Sequence, residues 1–246
     1  MPQAGGEISE FRELGGAPLL VHALRTLCVS GAVPLVVVTA PAGRTGEVRA
    51  MLAGHRLTAG AGTRVEVVEG GPTRRASVGR ALEALAGTLD ADDGVVVHDA
   101  ARPLAPVELV DAVVAALRRG EAAVVPAIGL SDTVKEVGGG SRVTRTIDRA
   151  TLRVIQTPQG FRLGVLESAY RAAGARSPGR SAGVPAEETA ADDATLLAEL
   201  GQDVLVIDGH ENAFPVVQPL DLVLAEAVLA SRPGDSGDRR GAPGAG

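Results

Sequence analysis

Apolar residues fall along the chain at two alternating spacings. From Pro18 to Ser30, Leu20, Ala23, Leu24 and Leu27 recur at helical intervals, with Pro18 suited to a first turn. The next run, Leu35 to Ala40 (LVVVTA), is continuously apolar and β-branched, as a strand covered on both faces requires. The alternation continues with a helix from Thr45 to Ala53, a strand from Val65 to Val68, a helix from Arg75 to Ala86 and a strand from Val95 to His98. A helix from Val107 to Leu117 and a strand from Ala122 to Ala127 follow. Buried strands separated by helices predict an α/β fold with an open, doubly wound, mostly parallel sheet.

After Ala127 the rhythm changes. Asp132 to Val137 and Val143 to Asp148 read as two extended segments around Gly138, Gly139 and Gly140, a hairpin that interrupts the α/β order. A lone two-stranded hairpin is marginal in water, so this arm is expected to pack against something, a second subunit being the obvious candidate. Helix Leu163 to Ala173, a loop from Gly174 to Pro185, a helix near Asp192 to Leu200, a strand from Asp203 to Ile207 and a helix from Leu220 to Ala230 complete the pattern. Residues 231–246 have little to bury and are expected to be disordered. The expectation is one domain over residues 1–230, with the arm at about 129–150.

Composition narrows the class. Of the 246 residues, 45% are hydrophobic but only 2% aromatic, with no Trp, so Ala, Val and Leu must build the core. A net charge of −6 carries no footprint of a general nucleic-acid binder. One cysteine, Cys28, excludes an internal disulfide and a structural zinc held by several thiolates. No stretch approaches the ~20 apolar residues that span a bilayer, and the N-terminus lacks the basic-then-apolar order of a signal peptide. A soluble cytoplasmic protein without membrane partners is expected. Lys135 is the single lysine among 24 basic residues.

Three segments can carry chemistry. Val95 to Pro103 (VVVHDAARP) ends a strand in polar groups, at the position where open α/β sheets bind ligands. Asp99 and Arg102 can there present a carboxylate and a guanidinium to one polar substrate; the alternative is that Asp99 caps a helix and Arg102 pairs with it. His98 points to the opposite side from Asp99 by strand alternation and reads as structural. Val68 to Ser77 (VEGGPTRRAS) follows a strand and opens a helix, so Gly71, helix N-terminal amides and Ser77 can hold a phosphate. An ordinary strand-to-helix turn would use the same residues. In the third, Thr146 to Phe161, Arg149 can reach a phosphate or be a solvated charge, and Thr157 places a hydroxyl before Pro158. Lys135, beside Glu136, reads as a solvated position.

In their order GGPTRRASV, VHDAARP, DTVKEV, TIDR and QTPQGF, supported by FRELGGAPLLVHAL and PLDLVLAE, these segments resemble the cytidylyltransferases that act on 2-C-methyl-D-erythritol 4-phosphate in the non-mevalonate isoprenoid pathway. The resemblance covers roughly Phe11 to Ala230. It implies a Rossmann-like nucleotidyltransferase sheet, a homodimer joined through the hairpin arm, CTP as donor, a polyol phosphate as acceptor, and Mg²⁺ held mainly through the CTP phosphates, with no protein metal ligand needed. It places Ala4, Gly5, Gly71, Ser77 and Ala100 at the nucleotide. Asp99, Arg102 and Arg149 become the expected catalytic residues, and Thr133, Arg149 and Thr157 the acceptor-binding ones. Close relatives that act on ribitol 5-phosphate share much of the pattern.

The chain departs from that pattern at lysine positions. Family members begin with a buried strand and a Gly-rich loop followed by a lysine, where this chain has only Met1 to Phe11, with Ser9 at the lysine position. A second family lysine precedes the final helix, where this chain has Pro215, which has neither charge nor backbone donor. Ala191 replaces a frequent threonine. A preorganised cation typically contributes about 2.7–4 kcal/mol to charge stabilisation, so these losses predict weakened turnover. A non-catalytic paralogue that binds nucleotide, or pairs with an active homologue, is the alternative of a different class.

Overall fold

A computed structural model of the chain describes residues 9–55, 57, 62–175 and 192–232. After a 3-10 turn at Ser9–Phe11, strands β1 (Glu13–Leu14) and β2 (Ala17–Pro18) form a small antiparallel clasp that leads into helix α1 (Leu19–Val29). Strands β3 (Leu35–Ala40) and β4 (Arg64–Glu69) pair in parallel from Leu35↔Arg64 to Ala40↔Glu69, with helix α2 (Thr45–Ala53) as their crossover. Helix α3 (Arg74–Leu85) leads to β5 (Gly94–Val97), and helix α4 (Val107–Arg118) to β6 (Ala123–Gly129).

The hairpin forms where the glycine turn predicts it. Strands β7 (Val134–Val137) and β8 (Val143–Ile147) pair with each other, in the antiparallel register Lys135↔Thr146 and Glu136↔Arg145. Each is shorter by a residue or two than the extended segment expected. Two strands that periodicity did not reveal come next, β9 (Arg153–Ile155) and β10 (Gln159–Arg162). Helices α5 (Leu163–Ala175) and α6 (Asp193–Glu199), strand β11 (Leu205–Asp208) and helix α7 (Pro219–Ser231) complete the chain. Most of the predicted 174–185 loop and of the 231–246 tail lies outside the described residues.

Sheet topology corrects one expectation. Besides the β1–β2 clasp and the β7–β8 hairpin, the described strands make two groups instead of one continuous sheet: β3–β4, and β11–β6–β10–β5 with β9 beside β6. In the second group β10 runs antiparallel to both β5 and β6, so those two point the same way, and β11 is parallel to β6. The architecture is α/β with its long strands in one direction and β10 inserted against it.

The core follows the composition. Apart from Cys28, Phe161 and a few prolines, the buried apolar side chains among the described residues are Ala, Val or Leu. One cluster joins α1 to β3 and α2 through Leu20, Leu24, Val36 and Val48. A second gathers Leu82, Phe161, Leu166 and Leu197 around β10. One buried polar side chain completes a sheet edge: Gln156 Nε2 donates to the His210 carbonyl and Gln156 Oε1 accepts from the His210 amide, both at 2.9 Å. A Cβ on Gly209 would lie 2.3 Å from that Oε1, so a glycine is required there. No described helix is long and apolar enough to cross a membrane.

Candidate active site

Past the end of β5, the chain turns with the Arg102 amide donating to the Asp99 carbonyl at 2.9 Å. Thr157, buried beneath this turn, accepts from the Asp99 amide at 3.1 Å through Oγ1, the atom that also bonds His98 Nδ1 at 2.9 Å. The peptide between Thr157 and Pro158 is cis. The motif residues His98, Asp99 and Thr157 are thus one hydrogen-bonded unit. His98 is buried against Thr157, and burial lowers its pKa to about 4.

The loop after β4 meets the same unit. Thr73 caps α3 by accepting from the Ala76 amide, and Arg74 in the first turn donates from Nε to Asp99 Oδ1 at 2.9 Å. Arg74 Nη1 reaches Asp193 Oδ2 at 2.8 Å, and Tyr170 donates to Asp193 Oδ1 at 2.5 Å. Burial opposes the charge on Arg74, but the Asp99 and Asp193 carboxylates outweigh it and raise its pKa. Burial, then the Asp193 charge, raises that of Tyr170.

The alternative weighed for Asp99 and Arg102 is realised only in part. Arg102 Nε stands 3.9 Å from Asp99 Oδ2, a loose ion pair, while its terminal nitrogens donate to the carbonyls of Ala213 at 2.6 Å and Ile155 at 3.4 Å. Asp99 instead gives its closer contact to Arg74. Burial, followed by the neighbouring Arg74 charge, lowers the pKa of Arg102.

Gly71, Ser77 and Ala100, expected at the nucleotide, line one cavity of about 210 Å³ with Phe11, Thr39 and Val48. The Gly71 amide donates to Ser77 Oγ at 3.1 Å. A Cβ on Gly71 would sit 2.3 Å from that of Ala76, so the backbone of this loop lies directly on the helix N-terminus. Gly71 is therefore a packing requirement of this loop. Ala4 and Gly5 lie outside the described residues, as does Ala191.

Thr133 and Arg149 stand at the base of the arm. Thr133 is exposed, and Arg149, in a 3-10 turn at Arg149–Thr151, donates to the Ser131 carbonyl; neither hydrogen-bonds to the Asp99 cluster. Lys135 is exposed on the arm with Nζ on Thr146 Oγ1 at 2.6 Å, in keeping with a solvated role. Pro215 is exposed in a segment fastened to the Asp99 turn, with Ala213 accepting from Arg102 and the Val216 amide donating to the Ala101 carbonyl at 2.7 Å. Motif reading missed Arg74 and Asp193. Arg74 stands inside GGPTRRASV, and Asp193 follows an Asp192 whose capping bond to Thr195 leaves the second carboxylate without a local task.

A sequence model of the 2-C-methyl-D-erythritol 4-phosphate cytidylyltransferase family matches residues 4–231. The chain belongs to that family. It is 47% identical to the 2-C-methyl-D-erythritol 4-phosphate cytidylyltransferase of Streptomyces coelicolor over 92% of this chain and 80% of the relative. With that of Saccharopolyspora erythraea the identity is 41%, over 88% of each. The crystal structure of the Thermus thermophilus cytidylyltransferase superposes with a TM-score of 0.69 at 33% identity, covering 92% of this chain and 96% of that one. A 4-diphosphocytidyl-2C-methyl-D-erythritol synthase from Anaerococcus prevotii shares the fold at a TM-score of 0.76 and 24% identity, over 92% and 95%. In this cytidylyltransferase-family chain three of the segments that carried the resemblance, GGPTRRASV, VHDAARP and QTPQGF, meet in the Asp99 cluster, whereas DTVKEV and TIDR lie on the arm.

Proposed function

We propose that this chain transfers CMP from CTP to the phosphate of 2-C-methyl-D-erythritol 4-phosphate. An oxygen of the acceptor phosphate attacks the α-phosphorus of CTP, the bond from that phosphorus to the bridging oxygen breaks, and diphosphate leaves with the electron pair. A phosphate monoester has its second pKa near ~6, so the nucleophile is already anionic and needs no strong base. Positioning and charge neutralisation therefore supply the rate. The observation that carries this reading is the cavity shared by Gly71, Ser77 and Ala100, beside the Arg74–Asp99 pair.

In this reading the Gly71 and Ser77 loop receives the nucleotide, and Asp99 and Arg102 form the junction between nucleotide and acceptor. Thr157 serves the acceptor side through the Asp99 amide it holds, as a positioning residue. Arg149 and Thr133 reach the acceptor from the arm. Among the described residues, no group of three or more His, Cys, Asp or Glu side chains could hold a metal ion, and the Asp99 carboxylate is shared by two arginines. That donor set suits Mg²⁺ arriving on the triphosphate oxygens, where it neutralises their charge. The relatives' names favour methylerythritol phosphate over ribitol phosphate as acceptor and a working enzyme over a silent paralogue. The cytoplasm supplies CTP and is the expected compartment.

The arm is the proposed route to a homodimer. Its strands pair only with each other among the described residues, and Val137 and Val143 are more than half exposed, an edge that a second copy would cover. Light scattering should give twice the chain mass, and a monomer would reject this part.

Diphosphate release from CTP, Mg²⁺ and methylerythritol phosphate tests the reaction. Release by the folded chain, reduced about a hundredfold in Asp99→Asn, is expected. No release above background would overturn the activity, and faster release with ribitol 5-phosphate would overturn the acceptor.

A further inference from the structure

Helix α6 opens beside two carboxylates with separate tasks. Asp192 caps the helix: Oδ1 accepts from the amide and the hydroxyl of Thr195 at 2.8 and 2.6 Å, and Oδ2 from Gln159 Nε2 at 3.0 Å. Asp193 is buried, and its oxygens are divided between two other helices. Oδ1 accepts from the Tyr170 hydroxyl of α5 at 2.5 Å, and Oδ2 from Arg74 Nη1 of α3 at 2.8 Å. Tyr170 in turn packs against the core cluster of Leu166 and Leu197. The direction of the Arg74 guanidinium is thereby set from the core.

The same guanidinium turns its Nε to Asp99 Oδ1 at 2.9 Å. Asp99 therefore stands between two arginines and is hydrogen-bonded to one. Arg102 Nε is 3.9 Å from Asp99 Oδ2, is buried, and has no hydrogen-bond partner among the described residues. Arg102 is anchored on the Ala213 and Ile155 carbonyls, so closing that gap by about 1 Å, to the length of a charge-assisted bond, would fall to Asp99. Closure would satisfy the orphaned Nε and consume Oδ2. Arg74 opposes it by holding the other oxygen. A buried ion pair is often no better for stability than apolar packing of similar volume, so the position it imposes accounts better for the Asp193 pair.

On the transfer reading of the site, we propose that Tyr170, Asp193 and Arg74 are positioning residues of the reaction: together they hold Asp99 off Arg102 and leave Asp99 Oδ2 open to accept a hydroxyl of the polyol phosphate. None of the three needs to touch substrate, and Tyr170 meets Asp99 only through Asp193 and Arg74. An arginine is required at position 74 because its fork gives each carboxylate its own nitrogen, whereas a lysine ammonium is a single point charge.

The test compares the unaltered chain with Tyr170→Phe and Arg74→Lys in two measurements. Diphosphate release gives kcat and a KM for each substrate, and calorimetric titration of methylerythritol phosphate, with CMP present, gives a Kd. Tyr170→Phe keeps the ring in its packing and removes one hydrogen bond, so it decides alone should Arg74→Lys fail to fold. The acceptor KM and Kd should rise about fivefold in Tyr170→Phe and about fiftyfold in Arg74→Lys, with the KM for CTP within about twofold of its original value. A merely structural role would lower kcat through the folded fraction and leave both KM values alone. Acceptor KM and Kd unchanged in Tyr170→Phe, or a KM for CTP that rises in step with that of the acceptor, would overturn the proposal. Acceptor binding by the unaltered chain without diphosphate release would defeat the transfer reading alone, and the Kd ratios would still decide the role of the three residues. No acceptor binding by the unaltered chain would overturn both.

Discussion

The Asp99 cluster and the hairpin arm are both held by arginine–carboxylate pairs, yet they stand at opposite ends of the range such pairs cover. In the cluster Arg74 bridges Asp99 and an Asp193 side chain that is only 2% exposed, with Tyr170 on its second oxygen. In the arm Arg145 meets Glu136 at 2.6 Å with side chains 69% and 49% exposed. The distances are alike and the surroundings are not. A desolvated pair cannot lose one partner without leaving a charge in low dielectric, whereas water replaces the partner of an exposed one.

The sharpest way to break this contrast is Arg74→Ala. Asp193 would keep only its tyrosine, and breaking a buried pair costs about 3–5 kcal/mol; partial exposure of Arg74 puts the expectation at the lower end, measured by urea denaturation. A loss below about 1 kcal/mol would erase the distinction between the two regions.

Acidification probes the same cluster. The pKa of His98 is lowered to about 4 in the folded chain, against about 6.5 unfolded, so the unfolded state binds the extra proton between those values. Stability is therefore full above about pH 6.5 and falls by about 3 kcal/mol as the pH drops to 4. Denaturant midpoints across this range should show the decline, and His98→Asn should flatten it. An unchanged slope in that variant would assign the acid sensitivity elsewhere.

Pro215→Lys asks whether the wall of the cluster can accept a cation. The ammonium would rise from the segment that Arg102 and Ala101 hold, and turnover should increase about tenfold, equivalent to about 1.4 kcal/mol. A fall in turnover would mean that the arginines already satisfy the charge there. The smallest effect belongs to the arm: Glu136→Ala should cost less than about 0.5 kcal/mol in urea unfolding.

Where periodicity was strong, the sequence and the structure agree closely. LVVVTA and the helix at Thr45–Ala53 have the same bounds in both, because an unbroken β-branched run and a repeated apolar face each leave little choice. Strand β10 was hidden because its four residues, Gln159 to Arg162, follow a proline and begin and end polar; its central place comes from neighbours far away in the chain. The site divides in the same way. Residues of one motif, Gly71 with Ser77 or Asp99 with Ala100, were legible together, whereas the link from Arg74 to Asp193 crosses 119 positions. The division of the strands into two groups depends on strand order, which local pattern does not encode.

The Gln156 amide imitates a stretch of main chain, offering one donor and one acceptor to a single residue, His210. Such a side chain reads its partner in both directions, so the near-isosteric exchange Gln156→Glu is no neutral swap. Below its own pKa a glutamic acid could still donate and accept; above it, two lone-pair oxygens would face a carbonyl. A one-atom replacement would thus turn a permanent joint into one that fastens only in acid.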